Sequence, residues 1–469
     1  MGKVRFVTFG CKANQYDTQV LREALVRRGW SEAERDLDLV VINTCTVTAA
    51  AGSKARKLAR RIARESPNTK IAMVGCLAES EPEILRDLPG VEWVLGNGEA
   101  KVPVNFLREL GHEVGPEELG IPAGISQFQG HTRAFLKIQD GCDMACTFCI
   151  IPKVRGKNRS RPLAELVAEV RRLVSAGHVE IVLCGIHIGH WGRELGLGLA
   201  DLMGALVEID AKGPTGAPAD FRLRLSSIEA TEVSSRLLEN IASHPERVAP
   251  HLHLPLQSGD GEILRRMGRW YGPDEYQRAL ENIRMELDRP AFTADVIVGF
   301  PGEKESHFAN TVRMVQVSGF ARLHVFPYSA RPGTLAGTLA DAPAADEVRE
   351  RRARLSEVAG SVGDSYRRSL EGVIECVVPE GFGGLSGRYN RVRLDPADWP
   401  GVLPDLCHVR LELEPLADDP GSVGLLGRPL VREGRPTGPM SANPSTTTPS
   451  TTTPSTREPA PLKTVEIST

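Results

Sequence analysis

Six of the nine cysteines in this 469-residue chain fall where thiolates could act together. Cys142, Cys146 and Cys149 stand at Cys-x3-Cys-x2-Cys spacing, close enough to face a single iron–sulfur cluster from one loop. Three ligands on a four-iron cluster leave one iron open for a substrate or cofactor. A structural zinc ion wants a fourth ligand. No flanking residue is an obvious one, although a distant histidine could serve. Cys11, Cys45 and Cys76 each end a short apolar run, after Phe9-Gly10, Asn43-Thr44 and Val74-Gly75. Alone, each reads as a small buried hydrophobe. If the three runs are parallel strands, their carboxyl ends share the sheet edge where open α/β folds place ligands. A second three-thiolate cluster then follows. Cys184, Cys376 and Cys407 have no partner motif and read as structural.

Those thiols need elements to hold them. Residues 4–9, 39–43 and 71–75 are apolar and β-branched, and a helical stretch over 53–65 lies between the second and third. Such alternation predicts an α/β domain with a parallel sheet, over residues 1–115. A Gly- and Pro-rich linker follows over 111–130. Six strand candidates (134–138, 180–188, 221–226, 251–256, 292–298 and 322–326) then alternate with helices. Six strand–helix units fall short of the eight of a full barrel, so a partial (βα)6 barrel is expected over 128–360. The cysteine loop follows its first strand, at the end where barrel active sites are built. Runs at 373–378, 390–394 and 408–413, between Gly- and Pro-rich turns, predict a small antiparallel β-barrel over 366–430. The Pro/Ser/Thr-rich tail, 433–469, cannot bury enough apolar area to fold.

Composition sets the bounds. The chain is 41% hydrophobic and 25% charged, and has no run of 18 apolar residues to span a membrane. Residues 1–6 carry no apolar signal segment, which predicts a cytoplasmic protein. Reduced thiols there serve metals or catalysis rather than disulfides. The net charge of −3 gives no global nucleic-acid signal, so RNA contacts must come from local basic patches.

The cysteine loop, with Phe148 just before its last cysteine, resembles the radical S-adenosylmethionine superfamily. Thr8-Phe9-Gly10-Cys11-Lys12-Ala13-Asn14-Gln15-Tyr16-Asp17, Asn43-Thr44-Cys45-Thr46-Val47 and Val74-Gly75-Cys76 resemble the N-terminal motifs of its methylthiotransferase family. The likeness continues through Ser226-Ser227-Ile228-Glu229, Leu256-Gln257-Ser258-Gly259 and Asp295–Glu303, over about residues 3–430. One departure is Lys153, where many members carry an aromatic residue.

That resemblance implies two [4Fe-4S] clusters, S-adenosylmethionine, and a C-terminal TRAM domain. The Cys142, Cys146 and Cys149 cluster would cleave S-adenosylmethionine to a 5′-deoxyadenosyl radical that activates carbon 2 of an adenine. The Cys11, Cys45 and Cys76 cluster would carry the sulfur. Phe148 would pack near the cofactor's adenine, and Glu229 and Gln257 are candidate contacts to it; the alternatives are a core aromatic and structural hydrogen bonding at the rim. Arg155, Lys157, Arg159 and Arg161, on the loop beyond the cysteines, would meet phosphates, with Arg388, Arg391 and Arg393 of the terminal barrel. The helix over residues 54–64 reads as a charged outer face, and His251-x-His253 as barrel lining. Gly10-Cys11-Lys12-Ala13-Asn14 most resembles the subfamily acting on N6-threonylcarbamoyladenosine beside the anticodon of tRNA (MtaB-type). Alternatives are isopentenyladenosine in tRNA, an aspartate of a ribosomal protein, or a non-catalytic RNA-binding redox sensor. The enzyme would also need an electron donor and a sulfur source.

Overall fold

A computed structural model describes residues 2–115, 124–381, 383–399, 406–416 and 419–430. Part of the expected linker and the whole Pro/Ser/Thr-rich tail lie outside the described residues.

The first domain is a five-stranded, wholly parallel sheet of β1 (Lys3–Thr8), β2 (Ser31–Glu32), β3 (Leu39–Thr44), β4 (Lys70–Gly75) and β5 (Val91–Leu95), in the order β2-β1-β3-β4-β5. Helices cover both faces. α1 (Lys12–Arg27) packs Leu21, Ala24 and Leu25 onto one face. α2 (Ala49–Glu65) packs Ala55 and Ala59 onto the other, its first turn capped by the Thr48 hydroxyl accepting from Ala51 N–H. The Lys and Arg residues of α2 ring this apolar stripe, with Arg56 paired to Glu81. A one-turn helix, α3 (Cys76–Ser80), leaves the end of β4.

Six parallel strands form the second domain. β6 (Arg133–Lys137), β9 (Glu180–Cys184) and β10 (Arg222–Leu225) pair in one sheet; β11 (His251–His253), β12 (Ala291–Val298) and β13 (Arg322–Pro327) pair in another. Bridges Leu223↔Val248 and Ser227↔His253 join them, giving a partial barrel with β6 and β13 as open edges. A short hairpin, β7 (Gln139–Asp140) with β8 (Arg159–Ser160), brackets the cysteine loop and the helix α4 (Ile151–Arg155). The amphipathic α5 (Leu163–Ser175) buries Leu166, Val170, Leu173 and Val174, the apolar positions of the sequence pattern. α1 lies along the open edge strand β6, so the first domain leans on the barrel.

The long α6 (Ala345–Arg368) leads to a closed barrel of β14 (Ile374–Pro379), β15 (Gly383–Ser386), β16 (Arg391–Leu394), β17 (Cys407–Leu416) and β18 (Asp419–Pro429). All pairs are antiparallel except β16–β18. This barrel closes the amino-terminal ends of the six strands, opposite the cysteine loops. Its contacts are made at strand starts: Arg133 with Glu380, His251 stacked on Tyr389, and Arg222 and Arg224 with the carbonyls of Leu385, Ser386 and Gly387.

Glu180, fully buried, anchors both arginines: its carboxylate accepts from Arg222 Nε at 2.7 Å and Arg224 Nε at 2.9 Å. Burial pushes this carboxyl up, but Arg224 and Arg222 together bring it down to about 2, from an ordinary 4.5. The folded value lies below the unfolded one, so the stabilisation is complete above about pH 4.5 and disappears as pH falls toward 2. The shift corresponds to about 3 kcal/mol. Glu180→Gln should lose roughly that stability at pH 7 and much less at pH 3, read from denaturant midpoints. An equal deficit at both pH values would rule this out.

Candidate iron–sulfur and substrate site

Cys11, Cys45 and Cys76 follow β1, β3 and β4, three adjacent strands, so their thiols meet at the carboxyl edge of the first sheet. Asn14, buried on the first turn of α1, ties the three loops. Its amide donates to Phe9 O and Thr44 O, both at 2.8 Å, and its carbonyl oxygen faces Cys76 Sγ at 3.9 Å. Gly10 and Gly75 have φ of +109° and +95°. A Cβ on Gly10 would sit 2.7 Å from Cys45 Cβ, and one on Gly75 2.8 Å from Thr44 O. Only glycine lets these turns close on the thiols. Burial pushes the Cys45 thiol up to about 12, and the neighbouring Cys11 and Cys76 thiols push the same way.

Cys142, Cys146 and Cys149 occupy the loop between β7 and α4, at the carboxyl ends of the barrel strands. Donors converge on their sulfurs: Met144 N–H to Cys142 at 3.4 Å, His187 Nδ1 to Cys142 at 3.5 Å, and Arg269 Nη1 to Cys146 at 3.4 Å. Burial pushes Cys149 up to about 12 despite the Ile151 N–H, with Cys146 and Cys142 adding to the rise. Thiols raised in this way, Cys45, Cys146 and Cys149, are poor anions by themselves. A soft polycationic cluster would deprotonate them, and the N–H donors would share the charge. The donor set therefore fits a three-thiolate cluster in each nest. The nests share a wall: Cys76 packs against Ile150 and Val154, just beyond Cys149.

Of the expected cofactor contacts, Phe148 is half-buried and meets Phe300 edge-on at 6.4 Å between ring centroids. Glu229 is held by Arg269; burial nevertheless keeps its carboxyl above its usual range. Gln257 has φ of +64°, a costly left-handed conformation for a non-glycine residue, and stands half-buried at the barrel rim.

The structure corrects three expected phosphate contacts. Arg155 is 3% exposed and engaged with Asp17, Asp140 and Asn14. Arg161 pairs with Glu169 at 2.7 Å and with the Tyr16 hydroxyl. Arg388 is buried against Glu375 and Asp288 O. All three are structural ties whose guanidinium groups are engaged by carboxylates of neighbouring elements. Lys157 and Arg159 are exposed at the hairpin tip. Arg391 and Arg393 are exposed on the C-terminal barrel, paired with Glu380 and Glu414. Cys376 and Cys407 belong to that barrel, on β14 and β17, and Cys184 is buried at the end of β9.

Sequence reasoning missed the groups around the thiols. His187 stacks on His190 at 3.7 Å, and both rings donate to Glu232, at 2.8 and 3.0 Å. Burial would lower His187, but hydrogen bonds to the Cys142 sulfur and Glu232 raise it to about 9. A ring so engaged on both nitrogens is no free fourth ligand for zinc. Arg269 lies in an Arg-Trp-Tyr run, and its guanidinium covers Trp270 at 4.4 Å. Asn14 and Asp17 stand at i and i+3 on the buried face of α1, among further buried polar residues, Thr18, Gln19 and Glu23.

A parallel partial barrel with an open three-thiol loop, abutted by a second such nest, defines a radical S-adenosylmethionine protein with an additional cluster site. Comparisons with known proteins agree. Residues 3–96 match Uncharacterized protein family UPF0004, and residues 136–315 match the Radical SAM superfamily. The chain is 36% identical to the threonylcarbamoyladenosine tRNA methylthiotransferase MtaB of Bacillus subtilis, over 81% of this chain and 85% of that protein. It is 34% identical to the same-named protein of Thermotoga maritima, over 82% and 89%. The tRNA-2-methylthio-N(6)-dimethylallyladenosine synthase of Dictyoglomus thermophilum is 35% identical, over 73% and 79%. Among solved structures, the radical S-adenosylmethionine methyltransferase TsrM of Kitasatospora setae shares the fold, with a TM-score of 0.53 at 15% identity, over 81% and 79%. The chain belongs to the methylthiotransferase family of radical S-adenosylmethionine enzymes. Its cofactors are accordingly [4Fe-4S] clusters and S-adenosylmethionine.

Proposed function

We propose that this enzyme adds a methylthio group to carbon 2 of N6-threonylcarbamoyladenosine beside the anticodon of tRNA. The observation that carries the reading is the pair of three-thiol nests sharing the Cys76–Ile150–Val154 wall, together with relatives named for this activity. Cys142, Cys146 and Cys149 would hold the cluster that, when bound, supplies the electron for cleaving S-adenosylmethionine, while Cys11, Cys45 and Cys76 would hold the cluster that carries sulfur. The chain's own residues bind and orient. Gln257, Glu229 and Phe148 flank the cofactor, His187 and Arg269 hold charge at the sulfurs, and the barrel interior receives the unstacked base. Lys157, Arg159, Arg391 and Arg393 are left for phosphates. Such an enzyme works in the cytoplasm with an electron donor and a sulfur source of its host; no helix among the described residues is long and apolar enough to cross a membrane.

Mass spectrometry of tRNA nucleosides from a deletion strain should show the methylthio form of threonylcarbamoyladenosine missing and its precursor accumulating. Loss of the mark from isopentenyladenosine, or from a ribosomal protein alone, would redirect the assignment. The purified, reconstituted protein should also form 5′-deoxyadenosine; failure there favours the redox-sensor reading.

A further inference from the structure

The charged residues of α2 are Lys54, Arg56, Lys57, Arg60, Arg61 and Arg64, against Glu65 alone. A helix turns about 100° per residue, so Lys54, Lys57, Arg60, Arg61 and Arg64 share one arc of roughly 120° and run along about 15 Å of its length. All five are exposed. They lie opposite Ala55 and Ala59, which pack onto the sheet, so the stripe looks away from the core of the first domain. Arg64 pairs with Glu65 at 3.3 Å, and Arg56, off the stripe, with Glu81. The side chains of Lys57, Arg60 and Arg61 make no ion pair or hydrogen bond among the described residues.

Such a stripe works against its own helix. Like charges meet at i, i+3 or i, i+4 in Lys54–Lys57, Lys57–Arg60, Lys57–Arg61, Arg60–Arg64 and Arg61–Arg64, and each pair weakens the helix. The chain as a whole carries a net charge of −3, so this excess is local. Its position joins it to the site. Thr48, which caps α2, follows closely on Cys45, and Val47 between them donates its N–H to Cys45 Sγ at 3.4 Å. The barrel holds the same turn from outside, where Arg331 Nη2 donates to Val47 O at 3.0 Å. The stripe therefore starts beside the sulfur-bearing nest and leads away from it as a line of positive charge.

We infer that this face of α2 is a track for the RNA backbone, on which Lys57, Arg60 and Arg61 neutralise phosphates of the anticodon stem while the base enters the mouth. The inference rests on the proposed function for its partner. Phosphates along a strand form a regular row of negative charge, which a row of cations matches along its length. Contacts of this kind fix the register and orientation of the stem and carry no sequence information. An acidic protein delivering electrons would have to approach the nest of Cys142, Cys146 and Cys149, whereas α2 leaves from the other nest.

The test uses full-length, anaerobically reconstituted protein and an anticodon stem-loop RNA carrying threonylcarbamoyladenosine. Its dissociation constant is measured from about 50 to 200 mM KCl. Iron content, thermal midpoint and 5′-deoxyadenosine formation without RNA are followed alongside. The combined variant Lys57→Gln, Arg60→Gln and Arg61→Gln should bind roughly 10–100-fold more weakly at the lowest salt, with the slope of log K against log[KCl] flattened by about 2–3. Iron content and 5′-deoxyadenosine formation should not change. The midpoint should hold or rise, because Gln suits a helix as well as Lys or Arg and relieves the repulsion. A charge-matched control, Arg349→Gln, Arg352→Gln and Arg354→Gln, all exposed on α6, should keep the wild-type slope. An unchanged slope in the α2 variant overturns the inference, and so does equal flattening by the control, which would make net charge the cause. Unchanged RNA binding with slower reduction by an acidic flavoprotein donor would give the stripe to a protein partner instead and overturn it. A lower midpoint with loss of iron would mark a structural role and overturn it too. Loss of RNA binding as expected, with wild type methylthiolating only dimethylallyladenosine, would defeat the proposed function and leave the track standing.

Discussion

Alanine at Cys11, Cys45 and Cys76 together will give a protein with about half the iron and sulfide of wild type, still able to form 5′-deoxyadenosine but unable to methylthiolate tRNA. Alanine at Cys142, Cys146 and Cys149 will abolish both reactions while leaving the other half of the iron in place. The expectation follows from how separately the trios are built. One sits on three strand ends gathered by Asn14; the other sits on one loop whose sulfurs have their own donors in Met144, His187 and Arg269. Removing three thiols from either nest leaves the donors and backbone of the other untouched. Iron and sulfide analysis with single-turnover S-adenosylmethionine cleavage decides the matter. Total iron loss in both triple variants would mean that the nests are one site and would sink the mechanism.

Asp17→Asn should destabilise the protein by about 3–5 kcal/mol, the cost of breaking a buried ionic group from one side. Asp17 is 4% exposed and faces Lys101 at 3.0 Å, Lys137, and Arg155 at 3.1 Å. Lys101 belongs to the first domain, Lys137 and Arg155 to the barrel. Burial pushes the Asp17 carboxyl up, but the three cations hold it far below the usual carboxylate range. Its contribution is therefore complete above about pH 4 and persists well into acid. The amide keeps the shape but takes from Lys101 its carboxylate partner and leaves Lys137 and Arg155 to share Asp140. Thermal unfolding should move down by roughly 10 °C, at a few degrees per kcal/mol for domains of this size. Proteases should begin to cut between the two domains. A midpoint within 2 °C of wild type would show that Asp17 is not what joins them.

What could be read from the sequence was whatever leaves a local pattern. The loop of Cys142, Cys146 and Cys149, the β-branched run before each of Cys11, Cys45 and Cys76, and the i, i+3, i+4 stripe of α5 are each visible within about a dozen residues. Long-range polar pairing is not. Arg155 looked like a phosphate contact because a basic loop beside an active site reads as exposed, yet its partner Asp17 lies 138 positions away. Arg388 looked exposed for the same reason and is buried against Glu375. In the terminal barrel, β15 and β18 were missed because Gly383, Gly384, Gly424 and Gly427 leave no alternation of apolar side chains. The polar barrel lining was half legible: His251 and His253 share a face by simple alternation, but Asp295 and His324 join them only through tertiary structure.

The closure of the barrel's foot has a temporal side. Arg222 and Arg224 donate to carbonyls of Leu385, Ser386 and Gly387, which come 162 or 163 positions later. A ribosome takes about 10–30 s to make that length of chain. Throughout that interval the nascent barrel carries two guanidinium groups at its base whose final acceptors do not yet exist. The last segment to emerge thus sets the lock, and a chain truncated before residue 385 should be left as an aggregation-prone intermediate rather than a smaller enzyme.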